Sequence, residues 1–218
     1  MLLERFAVRY WMNFDIFHTD DIRVERCDGS RREIQHVLDA CREERRPYVV
    51  IKDNCSAQQS CCSEVQNGST LSSILVPVTM LEEEVYKAEI CTYLARKTGA
   101  HLILLRANDY GSKAKRNTQR IITHIQTIAE RTGTTISYEE RVAKGDSFHI
   151  HKELPTYFTD IQRHSPTLTD RYLILLTASR EYGLDDWLFG PPELHVISKS
   201  SIPVMLVNPR ADLFSLCD

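Results

Sequence analysis

No apolar run among the 218 residues approaches the roughly 20 positions needed to span a bilayer, and Met1 to Val8 lacks the apolar stretch of a signal peptide. The expectation is a chain that neither inserts into a membrane nor is exported. An excess of basic charge is missing as well: 27 Lys and Arg stand against 30 Asp and Glu, the net charge is −3 and the pI is near 6.2. With its basic residues scattered, the chain shows no electrostatic footprint for sequence-independent binding of DNA or RNA. The 7 cysteines include no C-x-x-C pair and are odd in number, which suits thiols kept reduced in a cytoplasm better than a disulfide framework. Also lacking are a G-x-S-x-G elbow, a Walker P-loop and a G-x-G-x-x-G loop after a strand, so no catalytic residue is assigned and no enzyme is expected.

What is present is ordinary globular material: 42% hydrophobic and 26% charged residues, enough for a core, in a length that suits one domain or one domain and part of another. Cys55, Cys61 and Cys62 cluster, and His149 and His151 form an H-x-H, but neither group has structural zinc spacing. They read as thiols of a linker and as surface histidines of an α segment, with no metal. Trp11 reads as a packing anchor.

Asn54 to Ser73 is rich in Ser, Gln, Asn and Cys without an apolar period, and it divides the chain into 1–53, a linker 54–72, a larger unit 73–210 and a tail 211–218. In the larger unit Ile74–Val78 (ILVPV), His101–Ala107 (HLILLRA), Thr135–Val142, Tyr172–Leu176 (YLILL) and Ile202–Val207 (IPVMLV) read as strands. Leu81–Thr98 has apolar residues at helical spacing from Leu81 to Ala95. Glu82, Glu83 and Glu84 open it, and Arg96 and Lys97 close it before Gly99, so the charge run reads as helix punctuation. Ile121, Ile122, Ile125, Ile128 and Ala129 mark a second helix, Gly145-Asp146 a turn and N-cap, Phe148–His164 a helix broken near Pro155, and Pro191-Pro192 the start of a last helix. Alternating α and β with apolar strands predicts an α/β fold, a doubly wound open parallel sheet.

Upstream, Leu2–Phe17 reads as a helix, Ile22–Glu25 as a strand, Cys27-Asp28-Gly29 as a turn, Arg31–Arg45 as a helix and Tyr48–Lys52 (YVVIK) as a strand. The order repeats that of Ile136–Thr177. An incomplete internal duplication and an unrelated α/β extension both account for it. Two strands scarcely bury a core, so this partial second α/β unit is expected to dock on the larger one or on a second chain.

ILVPV, the KGD of Lys144–Asp146, YLILL before a long loop and G-x(12)-PVMLV from Gly190 resemble the universal stress protein domain over residues 73–208. The N-terminal part resembles the second half of another such domain, truncated and degenerate. The resemblance implies a Rossmann-like sheet of the adenine nucleotide alpha hydrolase type, tandem copies, and dimerisation through the last strand, here Ile202–Val207. In nucleotide-binding members an Asp ends the first strand and a G-2x-G-9x-G-[ST] loop follows the fourth. Here Thr79 stands for that Asp, Thr177 and Arg180 for the first two glycines, and Pro191 for the hydroxyl residue after Gly190. The implied site therefore comprises Val78, Thr79, Ala107, Thr177, Arg180, Gly183 and Gly190, in altered form.

Such a loop holds phosphate with free N–H groups at a helix N-terminus and with glycines that admit close approach. Pro191 and Pro192 supply no N–H, and Thr177 and Arg180 add Cβ atoms. Asp185, Asp186 and Trp187, in the loop before Gly190, read as a solvated loop with Trp187 covering the sheet, the alternative being the lining of a ligand cleft at the carboxyl ends of the strands. The reading is a cytoplasmic, non-catalytic regulatory or stress-response binding module with no cofactor, joined to itself or to another protein. Two alternatives stand: a member binding ATP or AMP with Mg, and slowly hydrolysing it, through a rearranged loop at Arg180, Gly183 and Gly190; and an interaction domain related to the soluble tails of cation/proton antiporters. Met1 as an internal start of a longer chain also stands open.

Overall fold

A computed structural model describes residues 22–44, 47–52, 71–81, 84–133, 135–158, 172–179 and 190–208. The expectations for Leu2–Phe17, Trp11, the cysteines 55, 61 and 62, the end of the 148–164 helix, and Arg180 to Trp187 lie outside the described residues. The elements are β1 (Arg23–Cys27), α1 (Arg31–Glu44), β2 (Tyr48–Lys52), β3 (Ser73–Val78), α2 (Glu84–Thr98), β4 (His101–Arg106), α3 (Ser112–Arg131), β5 (Tyr138–Val142), β6 (Tyr172–Thr177), α4 (Pro192–Lys199) and β7 (Val204–Val207).

The strands form one seven-stranded sheet in the order β1-β2-β7-β6-β3-β4-β5, parallel except between β2 and β7. Alternation along each strand sends residues to two cores. On one face Val50, Leu75, Ile103, Ile174, Val204 and Leu206 pack with residues of α1 and α4, including Ile34, Leu38 and Val196. On the other Val49, Ile74, Val76, Leu102, Leu173 and Met205 pack with residues of α2 and α3, including Cys91, Leu94 and Ile122. Helices cover both faces, so the α/β doubly wound sheet is the observed fold, and the apolar runs of its inner strands follow from that double burial.

Several local expectations shift. The third predicted strand is only Tyr138–Val142, an edge strand whose YEERV sequence stays mostly in water. The predicted helix after Asp146 is a 3₁₀ turn at Ile150–Lys152 followed by helical residues at 154–158, with Pro155 in the first turn where its missing N–H is harmless. Leu81 does not join the apolar stripe of α2, which starts three residues later and leaves it exposed. Gly99 does end that helix, at φ +73° with its N–H on Ala95 O at 2.9 Å, a backbone conformation glycine takes without steric cost.

The position expected for the last strand is corrected. β7 does not sit at a sheet edge: β6 pairs with one side and β2 of the same chain with the other, in the register Tyr48↔Leu206, Val49↔Met205, Val50↔Val204. An antiparallel junction with α1 and α4 on one face relates β1–α1–β2 to β6–α4–β7 by an approximate local dyad through Val49 and Met205. Two hydrogen bonds repeat that relation. Lys52 Nζ at the end of β2 donates to Ser198 O in the last turn of α4, at 2.8 Å, and Asn208 Nδ2 just past β7 donates to Cys41 O in the last turn of α1. Burial pushes the Cys41 thiol up to about 12, so this sulfur is a packing group and no nucleophile.

Candidate functional site

In a doubly wound sheet ligands bind at the carboxyl ends of the strands where the winding reverses, here between β3 and β6. The sequence shapes that place through Pro77. The β3–β6 ladder runs from Ser73↔Tyr172 to Leu75↔Ile174 and stops, while β3 continues along β4 to Val78↔Arg106. Proline has no N–H for the next rung, so the two strands part beyond it.

The opening is filled by the chain itself. Lys87 Nζ donates to Pro77 O at 2.5 Å and forms an ion pair with Glu84 Oε2, and Glu84 Oε1 accepts from Thr177 Oγ1 at 3.0 Å. Glu84 and Lys87 are 3% and 2% exposed, one helical turn apart at the start of α2. The loop leaving β6 meets a second carboxylate: Glu193 Oε1, 4% exposed in the first turn of α4, accepts from both the N–H and the Oγ of Ser179, the latter at 2.7 Å. An acidic side chain near a helix N-terminus is favourably placed against the dipole. Loop donors and the positive end of α4, the groups that hold a phosphate in such folds, are thus engaged by an anion of the protein's own.

The predicted site residues gather here in part. Val78 and Ala107 are buried at the adjoining ends of β3 and β4, joined by Ala107 N–H to Val78 O at 2.9 Å. Thr79 is buried, its Oγ1 accepting from Leu81 N at 3.4 Å, and Thr177 is committed to Glu84. Gly190 precedes α4 at φ +85°, a conformation that favours glycine; an added Cβ would meet only the ends of two flexible side chains, Leu194 Cδ2 at 3.3 Å and Arg31 Nη2 at 3.4 Å, so the backbone rather than space asks for glycine here. Pro191 caps α4 and Pro192 opens it, and neither supplies an N–H. Arg180 and Gly183 lie outside the described residues. Glu84, Lys87 and Glu193 escaped the sequence reading. The signal for the first two was an i, i+3 acid–base pair facing the same side as Ala88 and Cys91.

The loops after β3, β4 and β5 are tied together beside this crevice. Ser147 donates its N–H and Oγ to the two oxygens of Asp109, at 2.8 and 2.5 Å, and accepts from Met80 N at 2.9 Å, while Asn117 of α3 donates to Met80 O at 3.1 Å. Asp146 accepts from Phe148 N and His149 N, both at 3.0 Å, and from the His149 ring, which lowers the pKa of its carboxyl. The H-x-H pair is divided: His149 bonds Asp146, and His151 sits edge-on to His195 of α4 at 5.5 Å between ring centres. Among the described residues no three His, Cys, Asp or Glu side chains are grouped to hold a metal, and no helix is long and apolar enough to cross a membrane.

Burial holds His151 and His195 below the ordinary histidine pKa. Behind it come the charges of His195, Lys152 and His149 for His151, and those of Lys199 and Lys152 for His195. The unfolded chain then takes up protons at these positions first, so stability is present above the unfolded value near 6.5 and declines as pH falls through it. The expected result is a melting temperature that drops from pH 7.5 to pH 5.5, with a smaller drop for His195→Gln, read by thermal denaturation at each pH.

No family model matches the sequence, and no curated protein is similar to it. Solved structures are. A universal stress protein from Archaeoglobus fulgidus DSM 4304 superposes with a TM-score of 0.59 at 13% identity over 88% of this chain, which spans 62% of that protein. A universal stress protein crystallised with cAMP gives 0.46 at 15% identity over 65% of this chain and 99% of its own. A putative universal stress protein from Pseudomonas aeruginosa UCBPP-PA14 gives 0.44 at 15% identity, covering 87% of this chain and 63% of that one. Identities this low speak to architecture alone, and with the first superposition, the sheet order and the doubly wound helices, the chain has the α/β fold of the universal stress proteins.

Proposed function

We propose that the protein is a non-catalytic binding module of a regulatory or stress-response kind, built on the universal stress protein fold and without conventional ATP binding. The observation that carries this reading is the pair of buried carboxylates, Glu84 and Glu193, on the loop groups where a phosphate belongs. A phosphate brought there meets like charge in a poorly solvated crevice and finds Thr177 and Ser179 already bonded. We also read β1–α1–β2 as the counterpart of β6–α4–β7, a half domain occupying the edge at which a second copy would pair.

The test is a thermal titration of the purified protein with ATP, AMP and cAMP, with and without magnesium, after any carried nucleotide has been released and identified. A ligand at ~100 times its Kd adds about 2.7 kcal/mol to stability. The expected result is no retained nucleotide and no saturable rise in melting temperature. A saturating rise overturns the reading in favour of a rearranged loop at Arg180, Gly183 and Gly190.

A further inference from the structure

We propose that the loops after β3, β4 and β5, with the first turns of α3, form a docking surface for an acidic segment of another protein that carries an apolar anchor. The inference rests on the reading of the protein as a binding module and names where it binds and what. Met80, Asp109 and Ser147 are stitched into one hydrogen-bonded unit, and the residue following each is an exposed apolar side chain: Leu81 at 44%, Tyr110 at 90% and Phe148 at 65%. Large apolar groups held out on a rigid base favour association, because little conformational freedom remains to be lost on binding.

Charge specifies the partner. α3 begins with Lys113, Lys115 and Arg116 and no acidic residue in its first turn, the reverse of what the helix dipole favours. All three are exposed, and their side chains have no hydrogen-bond or ion-pair partner among the described residues. Three arginines elsewhere are matched by carboxylates: Arg23 with Glu25 and Glu44, Arg42 with Asp39, and Arg141 with Glu139. Set against the carboxylates of Asp109 and Asp146 on the same loops, these three cations with Lys144 still leave a local positive excess in a chain of net charge −3, complementary to an acidic surface. At its foot lies a cavity of about 190 Å³ lined by Arg106, Asn108, Asp109, Lys115 and Thr118. That is below the ~300–1,000 Å³ of small-molecule sites and is of a size for one inserted side chain.

The experiment selects short random peptides displayed on phage against the full chain, then measures the enriched peptide, labelled, by fluorescence anisotropy. The expected peptides are rich in Asp and Glu around a Leu, Phe or Trp. They bind at least about tenfold more weakly to Lys113→Glu/Lys115→Glu/Arg116→Glu and to Leu81→Ser/Tyr110→Ser/Phe148→Ser, with affinity falling as salt rises. Where a triple variant does not fold, Lys115→Glu and Phe148→Ser alone serve. Absence of enrichment, peptides without acidic bias, or affinities equal in all variants overturn the proposal. So does a labelled oligothymidine that binds and displaces the peptide, which assigns the surface to nucleic acid. The nucleotide titration on the same preparations separates the two claims: a peptide failure without a nucleotide shift ends this proposal and leaves the preceding one standing.

Discussion

Lys87→Ala is expected to destabilise the protein by about 3–5 kcal/mol, the range for removing one partner of a buried ion pair. The alanine leaves Glu84 enclosed with the Thr177 hydroxyl as its one side-chain partner among the described residues, and it strips the donor from Pro77 O at the point where the β3–β6 ladder has already ended. For a chain of this size that is a fall in melting temperature on the order of 10 °C. Glu84→Gln with Lys87→Met tests the cause. It removes both charges, keeps an acceptor for Thr177 Oγ1 and fills the space of the lysine stem, so most of the loss should return. Denaturant unfolding of the two variants measures this. A loss below about 1 kcal/mol for Lys87→Ala gives the pair the worth of a solvated one and ends the account of a sealed crevice.

The fold was legible because its inner strands are short apolar runs between helices of clear period: ILVPV, HLILLR and YLILL occur as β3, β4 and β6. The crevice was legible only in outline. Thr79, Thr177, Gly190 and Pro191 mark an altered loop, but what replaces the phosphate is a matter of tertiary contact. Glu84 stands in a run of three glutamates that suits an exposed helix start, and only the parting of strands at Pro77 turns it inward with Lys87. Leu81 misled for the opposite reason: its spacing fits α2, yet the helix starts after it. The neighbour of β7 was illegible from pattern, since apolar residues on both faces declare burial but not which strand supplies it.

Cutting away β1–α1–β2 is expected to turn the protein from a chain with protected edges into one that self-associates. The strands at the rims carry charge, Arg23, Glu25 and Arg26 in β1 and Glu139, Glu140 and Arg141 in β5, a common protection of a free edge. β7 has none: Val204, Met205, Leu206 and Val207 are all buried, and without β2 their backbone groups on that side lose their partners. A chain beginning at residue 71 should sediment as a dimer or larger species at micromolar concentration. In the full chain, Val49→Asp puts a charge into the core at the local dyad and should cost about 4 kcal/mol or more, by the penalty for burying an unpaired charge. A monomeric shortened chain that unfolds as cooperatively as the full one would make β1–α1–β2 an appendage. Self-association of the shortened chain, with the full chain unaffected, makes it the cover of β7. Any assembly of whole chains must then use a surface other than that strand, because β2 has already taken its open side.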